Sequence, residues 1–117
     1  MPKNPDEFRA YRKKMNEKIL ASDNLELKRF FALDSAVYRE GALSAKNKEL
    51  MGLVASTVLR CNDCILYHVE QCAKTGVSQT EFHEAMAIAL TVGGSITIPH
   101  LRYAFEMREK IENGSQR

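Results

Sequence analysis

The chain has 117 residues, which fits one domain and leaves no room for two, and its 44% hydrophobic and 27% charged residues exclude a disordered chain. With 17 basic and 15 acidic residues the net charge is +2, too balanced to favour nucleic acid, and no basic run is interleaved with aromatics. The opening Met1-Pro2-Lys3-Asn4-Pro5-Asp6 carries no signal-peptide core, and the longest nearly uncharged run, Ala85 to Pro99, is short of the roughly 20 apolar residues that cross a bilayer, so the expectation is a cytoplasmic protein with no membrane partner.

The hydrophobic pattern is helical almost throughout, with no long period-2 alternation. Asn4 caps a first helix, with Pro5 at its first position, Asp6 and Glu7 in the first turn, and Phe8, Tyr11, Met15 and Ile19 on one face to about Leu20. Its basic group, Arg12, Lys13 and Lys14, reads as a solvated face. A second helix from about Leu25 to Arg39 carries the stripe Leu27, Phe30, Phe31, Val37 and Tyr38, with Gly41 as its terminating glycine. Ser44 caps a third, whose core face is Leu50, Leu53, Val54, Val58 and Cys61, with Gly52 on another face where a neighbour can pack closely. The fourth begins at or just before Asp63 and ends at Gly76. Only Arg60-Cys61-Asn62-Asp63 separates it from the third, which predicts a tight helical hairpin.

Ser78 and Glu81 form a capping box that opens a fifth helix. Its segment Ala85–Val92 is apolar on nearly every side and predicts burial all round, with subunit contacts covering what one small domain cannot. Gly93-Gly94-Ser95 breaks it. A last helix runs from about Ile98 or Pro99 to Glu112, and 113–117 read as frayed. The fold class is therefore all-α: one domain over 1–117, a bundle of about six helices, with an N-terminal helix in 1–24 and a core in 25–108.

The chemistry sits in Cys61-Asn62-Asp63-Cys64-Ile65-Leu66-Tyr67-His68. Three cysteines, two of them in C-x-x-C, read in a reducing compartment as redox or metal chemistry. Cys64 falls in the first turn of the fourth helix, where exposed amides and the helix dipole favour a thiolate. His68 is four residues on, on the same face, and can take the Cys64 proton. Thiolate, resolving thiol and base are the minimum set for disulfide exchange or peroxide reduction.

Two other readings stand beside this one. Zinc held by Cys61, Cys64, His68 and Cys72 is excluded by the helix, because Cys64 and Cys72 are about 12 Å apart along its axis. Both sulfurs would have to lie about 2.3 Å from the ion. Cys61, Cys64, His68 and a carboxylate remain as a zinc alternative, though no metal or other cofactor is expected. Buried inert cysteines with a core histidine are the second alternative. Covalent haem is discarded, since it needs the histidine directly after the second cysteine. Cys72 reads as a small buried hydrophobe, His83 as a surface residue and His100, after Pro99, as structural. Tyr67 faces away from the Cys64–His68 stripe.

Glu49, eleven residues, Cys61, two, Cys64, three, His68, with Ser44–Leu50 before it and Ala73–Ser78 after it, resembles the carboxymuconolactone decarboxylase superfamily and, within it, the alkylhydroperoxidase D-like branch. The resemblance spans about Leu25 to Phe105. It implies an all-α fold assembled as trimers or hexamers and a cysteine pair that cycles between dithiol and disulfide. It further implies that Cys64 attacks peroxide, that Cys61 resolves the sulfenic acid, and that His68 and Glu49 form a proton relay. Where the branch's peroxidase has a histidine before the second cysteine, this chain has Asp63. On a continuous third helix Glu49 lies about 18 Å from Cys61. It reaches the site if that helix ends early, if the hairpin carries it to His68, or if another subunit supplies it; otherwise it is a surface glutamate.

The sequence thus reads as a thiol–disulfide oxidoreductase with peroxidase-like activity, with Cys64, Cys61, His68 and Glu49 as its catalytic residues. Its partners would be a small hydroperoxide or disulfide, an unidentified dithiol reductant and further copies of itself. The alternatives are a lyase acting on a lactone or small carboxylate, as in the decarboxylases that lack the cysteine pair, and a non-enzymatic redox sensor.

Overall fold

Polar caps decide where the helices begin. In the computed structural model, which describes residues 4–115, α1 (Pro5–Ala21) starts where the Asn4 side chain accepts the Glu7 N–H at 2.8 Å, with Pro5 at the position that needs no N–H. α2 (Leu25–Val37) starts on Asn24, which accepts the Leu27 N–H, and α3 (Ala45–Val58) on Ser44, which accepts that of Asn47. α4 (Asn62–Lys74) starts on Cys61. α5 (Gln79–Gly93) starts on the complete capping box: Ser78 Oγ accepts from Glu81 N at 3.1 Å and Glu81 Oε1 from Ser78 N at 2.8 Å. A single 3₁₀ turn, Ser95–Thr97, follows the Gly93-Gly94 break, and α6 (Ile98–Ser115) closes the described chain. There is no strand among the described residues, so the protein is all-α.

Two boundaries differ from expectation. α2 stops at Val37 with Tyr38 as its cap, so Gly41 lies beyond the helix end and does not terminate it. α6 continues through Ser115, past the expected stop at Glu112, and 116–117 fall outside the described residues.

The chain divides into two compact units, Met1–Glu40 and Gly41–Arg117. The division therefore groups α2 with α1. In the first unit Pro5 and Phe8 are buried, whereas α2 buries none of its residues. Of its expected stripe, Phe31 and Tyr38 are half-buried and Leu27, Phe30 and Val37 are exposed, because two helices alone enclose little volume. Arg12, Lys13 and Lys14 are exposed, as a solvated face requires.

The second unit holds the core: Leu53 from α3, Ile65, Val69 and Cys72 from α4, Val77, then Phe82, Met86 and Ala89 from α5 and Ala104 from α6. Each large apolar side chain buried here contributes about 1.5–3 kcal/mol. Leu50, Val54 and Val58 pack against this cluster from its edge. Lys46 Nζ and Glu81 Oε2, 2.7 Å apart, join the first turns of α3 and α5 at the surface. The hydrogen bond from Lys46, with that from the Ser78 backbone, holds the Glu81 carboxyl below its ordinary range. The expectation that Ala85–Val92 is buried all round does not hold within the chain. Ala85, Met86 and Ala89 face the core, but Ile88 and Val92 are 56% and 68% exposed, where they line an open groove between α3 and α5. No helix among the described residues is long and apolar enough to cross a membrane.

Candidate active site

The connection between α3 and α4 is a helix-terminating turn built on an unusual residue. After Leu59, the Cys61 N–H bonds back to the Ser56 carbonyl and the Arg60 N–H to that of Thr57, with Arg60 at φ 61°. The end of α4 repeats the arrangement, from Val77 to Cys72 and from Gly76 to Ala73, with Gly76 at φ 83°. Glycine is the usual occupant of that left-handed position. Arg60 takes it at a cost of about 1–2 kcal/mol. The turn delivers Cys61 as the cap of α4, half-buried, rather than to the core face of α3 where periodicity put it.

Cys61 and Cys64 are joined as a disulfide, with their Cα atoms 5.3 Å apart. The Cys61 sulfur also accepts the Cys64 N–H at 3.3 Å, so it does the work that serine or asparagine does at the other helix starts. Cys64 is solvent-exposed at the third position of α4. The exposed N–H groups of that turn favour negative charge on its sulfur.

His68, one turn further along α4, is 93% buried, and its Nδ1 lies 2.8 Å from Glu49 Oε1. Glu49 is itself 5% exposed, so it is neither a surface residue nor remote. The hairpin brings it to His68: α3 runs antiparallel beside α4, and residue 49 in its second turn falls level with residue 68. The close approach depends on Gly52. A Cβ there would sit 2.5 Å from His68 Cε1 and 2.8 Å from both ring nitrogens, so the imidazole lies against the bare backbone of α3. With Nδ1–H donating to the carboxylate, a neutral imidazole carries its lone pair on Nε2, the form that accepts a proton. The Tyr67 ring meets His68 edge-on at 5.1 Å between centroids.

Cys72 is a free thiol with no exposure, two turns from Cys64. Burial, reinforced by the charge of Glu49 and opposed by Arg108, pushes its pKa up to about 12. Among the described residues no three His, Cys, Asp or Glu side chains are grouped to hold a metal ion. His83 is exposed, its ring stacked on Phe105 at 5.3 Å.

One neighbour of the cysteine pair was not visible in the sequence. His100, in the first turn of α6, places Nδ1 2.8 Å from Asn62 Oδ1, between the two cysteines in sequence. Tyr103, one turn on, is shifted up by burial and by the charges of Asp63 and Glu106. The only signal was Pro99-His100 at a helix start, which nothing ties to a residue 38 positions earlier.

The model of the carboxymuconolactone decarboxylase family matches residues 7–107. The chain belongs to this family. Two crystal structures of the family member TM1620 from Thermotoga maritima are 56% and 55% identical to it, with TM-scores of 0.90 and 0.89. Each covers 93% of this chain, with 96% and 92% of the other chain matched, and an involvement of TM1620 in the antioxidative response has been suggested. A Legionella pneumophila family member, lpg0406, is 27% identical over 89% of this chain and 96% of its own, with a TM-score of 0.72. Protein 4 of the cox locus of Paracoccus denitrificans, itself uncharacterised, is 26% identical over 71% of this chain and 75% of its own length.

Proposed function

We propose that this family member is a thiol–disulfide oxidoreductase that reduces small hydroperoxides in the cytoplasm and works as a homo-oligomer, a trimer or hexamer. The observation that carries the reading is the Cys61–Cys64 pair at the start of α4, one turn before a buried His68 held by Glu49. In the reduced enzyme His68 takes the Cys64 proton. The thiolate attacks the outer peroxide oxygen, the O–O bond breaks, and the alkoxide leaves as the alcohol after taking a proton from the relay. Cys64 is then a sulfenic acid. The Cys61 thiol attacks its sulfur, the S–O bond breaks, water leaves, and the disulfide forms. An external dithiol returns two electrons and two protons.

The antioxidative role suggested for TM1620, 55% identical, supports this reading over lyase chemistry. The test is hydroperoxide reductase activity with lipoyl, thioredoxin and glutathione donors on wild type and Cys64→Ser. Turnover with at least one donor, lost in Cys64→Ser, is expected. Turnover of a lactone or small carboxylate that survives loss of both Cys61 and Cys64 would establish the lyase instead, and reversible oxidation without turnover a sensor.

A further inference from the structure

We propose that His100 is a positioning residue for the cysteine pair: anchored on Asn62, it restrains the first turn of α4 so that the two sulfurs stay within bridging reach, favouring disulfide over dithiol. The inference rests on the reading that Cys61 and Cys64 cycle between those states, but it concerns residues outside the Cys64, Cys61, His68 and Glu49 set.

Asn62 is the first residue of α4, and its backbone angles help set the 5.3 Å between the Cys61 and Cys64 Cα atoms. Its own side chain is exposed, and α4 begins on a sulfur cap, a weaker acceptor than an oxygen. A first turn of this kind frays unless something outside the helix holds it. His100 is half-buried and belongs to α6, which is fixed to the core through Ala104 one turn further on. Its Nδ1 is 2.8 Å from Asn62 Oδ1. The amide oxygen can only accept, so Nδ1 carries the hydrogen. The charge of Asp63, the other intervening residue, adds to the burial that shifts Tyr103 of α6 upward. Asn62, between the cysteines, is therefore tied to a helix that carries neither of them.

Disulfide closure is governed by how often one sulfur is within reach of the other. A tether on the intervening residue narrows the dithiol ensemble toward the bridged geometry. At the strength of an ordinary hydrogen bond it shifts the equilibrium about fivefold to tenfold. For a two-electron couple that is about 20–30 mV.

The experiment equilibrates the full chain with glutathione buffers and measures the Cys61–Cys64 disulfide fraction by mass spectrometry after acid quench and alkylation. In this exchange one protein disulfide and two glutathione thiols become two protein thiols and one glutathione disulfide. His100→Ala and Asn62→Ala should each shift the equilibrium about fivefold to tenfold toward dithiol. His100→Asn, which restores a donor near the Nδ1 position, should return to within about twofold of wild type. The His100→Ala, Asn62→Ala double variant should match either single one. Equal constants for wild type, His100→Ala and Asn62→Ala would overturn the proposal, and so would additive effects in the double variant or no recovery in His100→Asn. If His100→Ala does not fold, Asn62→Ala breaks the same contact from the exposed side. The readout needs no peroxide, so a protein that holds the disulfide but turns over no hydroperoxide loses the proposed function and not this inference. A wild type that forms no Cys61–Cys64 disulfide at any glutathione ratio loses both.

Discussion

Cys64 and Cys72 share one face of α4 yet meet opposite surroundings. Cys64 stands in solvent at the positive end of the helix, while Cys72 is sealed in the core with its pKa pushed up to about 12. After reduction, iodoacetamide at pH 8 should label Cys61 and Cys64 and reach Cys72 only once the protein is unfolded, as peptide mapping will show. The same shift has a sign in stability. The unfolded chain releases the Cys72 proton from about 9 while the folded chain holds it to about 12, so this contribution is full below 9 and falls as pH climbs through that window. His68 allows a second test at this scale. In a Cys61→Ser, Cys72→Ala background, His68→Gln should move the pH dependence of Cys64 alkylation upward and slow it at pH 7 by about tenfold or more. Gln keeps an amide donor for Glu49, whereas His68→Ala leaves that carboxylate buried without its partner at a cost of about 3–5 kcal/mol. Overlaid titrations for two proteins that melt alike would remove His68 from thiol activation. Cys61, Cys64 and His68 were legible because eight consecutive residues carry all three. Glu49 reaches them through a hairpin and His100 through a separate helix, and neither path leaves a period in the sequence.

At the level of elements, the site is a property of the α3–α4 hairpin. Its close approach was anticipated at Gly52, although nothing in the sequence named the imidazole as what fills the space. Gly52→Ala is therefore not the usual gain of a helix former. Alanine improves the helix by about 1 kcal/mol. Its methyl, however, meets a ring that Glu49 holds in place. Overpacking at such a site costs about 1–3 kcal/mol. The net expectation is a protein no more stable than wild type by urea unfolding, with thiol reactivity reduced toward that of His68→Gln. A stabilised protein of unchanged reactivity would show that the ring has room to move. Caps were the most legible feature, since Asn4, Ser44 and Ser78 each announce a helix through one side-chain oxygen. The turn at Arg60 was not, because its occupant is not the glycine that marks such positions and its conformation is imposed by the helices on either side.

Across the whole molecule, apolar surface exceeds what one copy encloses. In the second unit Met51, Leu59, Ile88, Val92 and Ile96 are each more than half exposed. Several of them border an open groove of about 850 Å³ between α3 and α5. Monomeric proteins seldom leave contiguous apolar patches of this kind uncovered. Light scattering at micromolar concentration should return three or six times 13.3 kDa, and Ile88→Glu with Val92→Glu should lower that mass. A 13.3 kDa species for the wild type would defeat the assignment. Period alone marked Ala85–Val92 as wanting burial on every side. In so small a domain it also pointed to subunit contacts, but it could not say which residues the chain's own helices would leave uncovered, because a helix pattern records the need for cover and not its direction.

The atom that caps α4 is also one half of the Cys61–Cys64 bridge. As part of the bridge, the Cys61 sulfur meets the Cys64 N–H as a neutral acceptor. Opened, it becomes a neutral thiol no longer held in place by the bridge, so the cap on the same N–H weakens. The start of the helix is thus an electron counter. At pH 7 the Cys64 amide should exchange its hydrogen faster in the dithiol form than in the disulfide, while amides near Val69 keep the same rate in both. Exchange followed by NMR would then read the redox state of the sulfurs from a backbone proton, with no reagent touching either thiol.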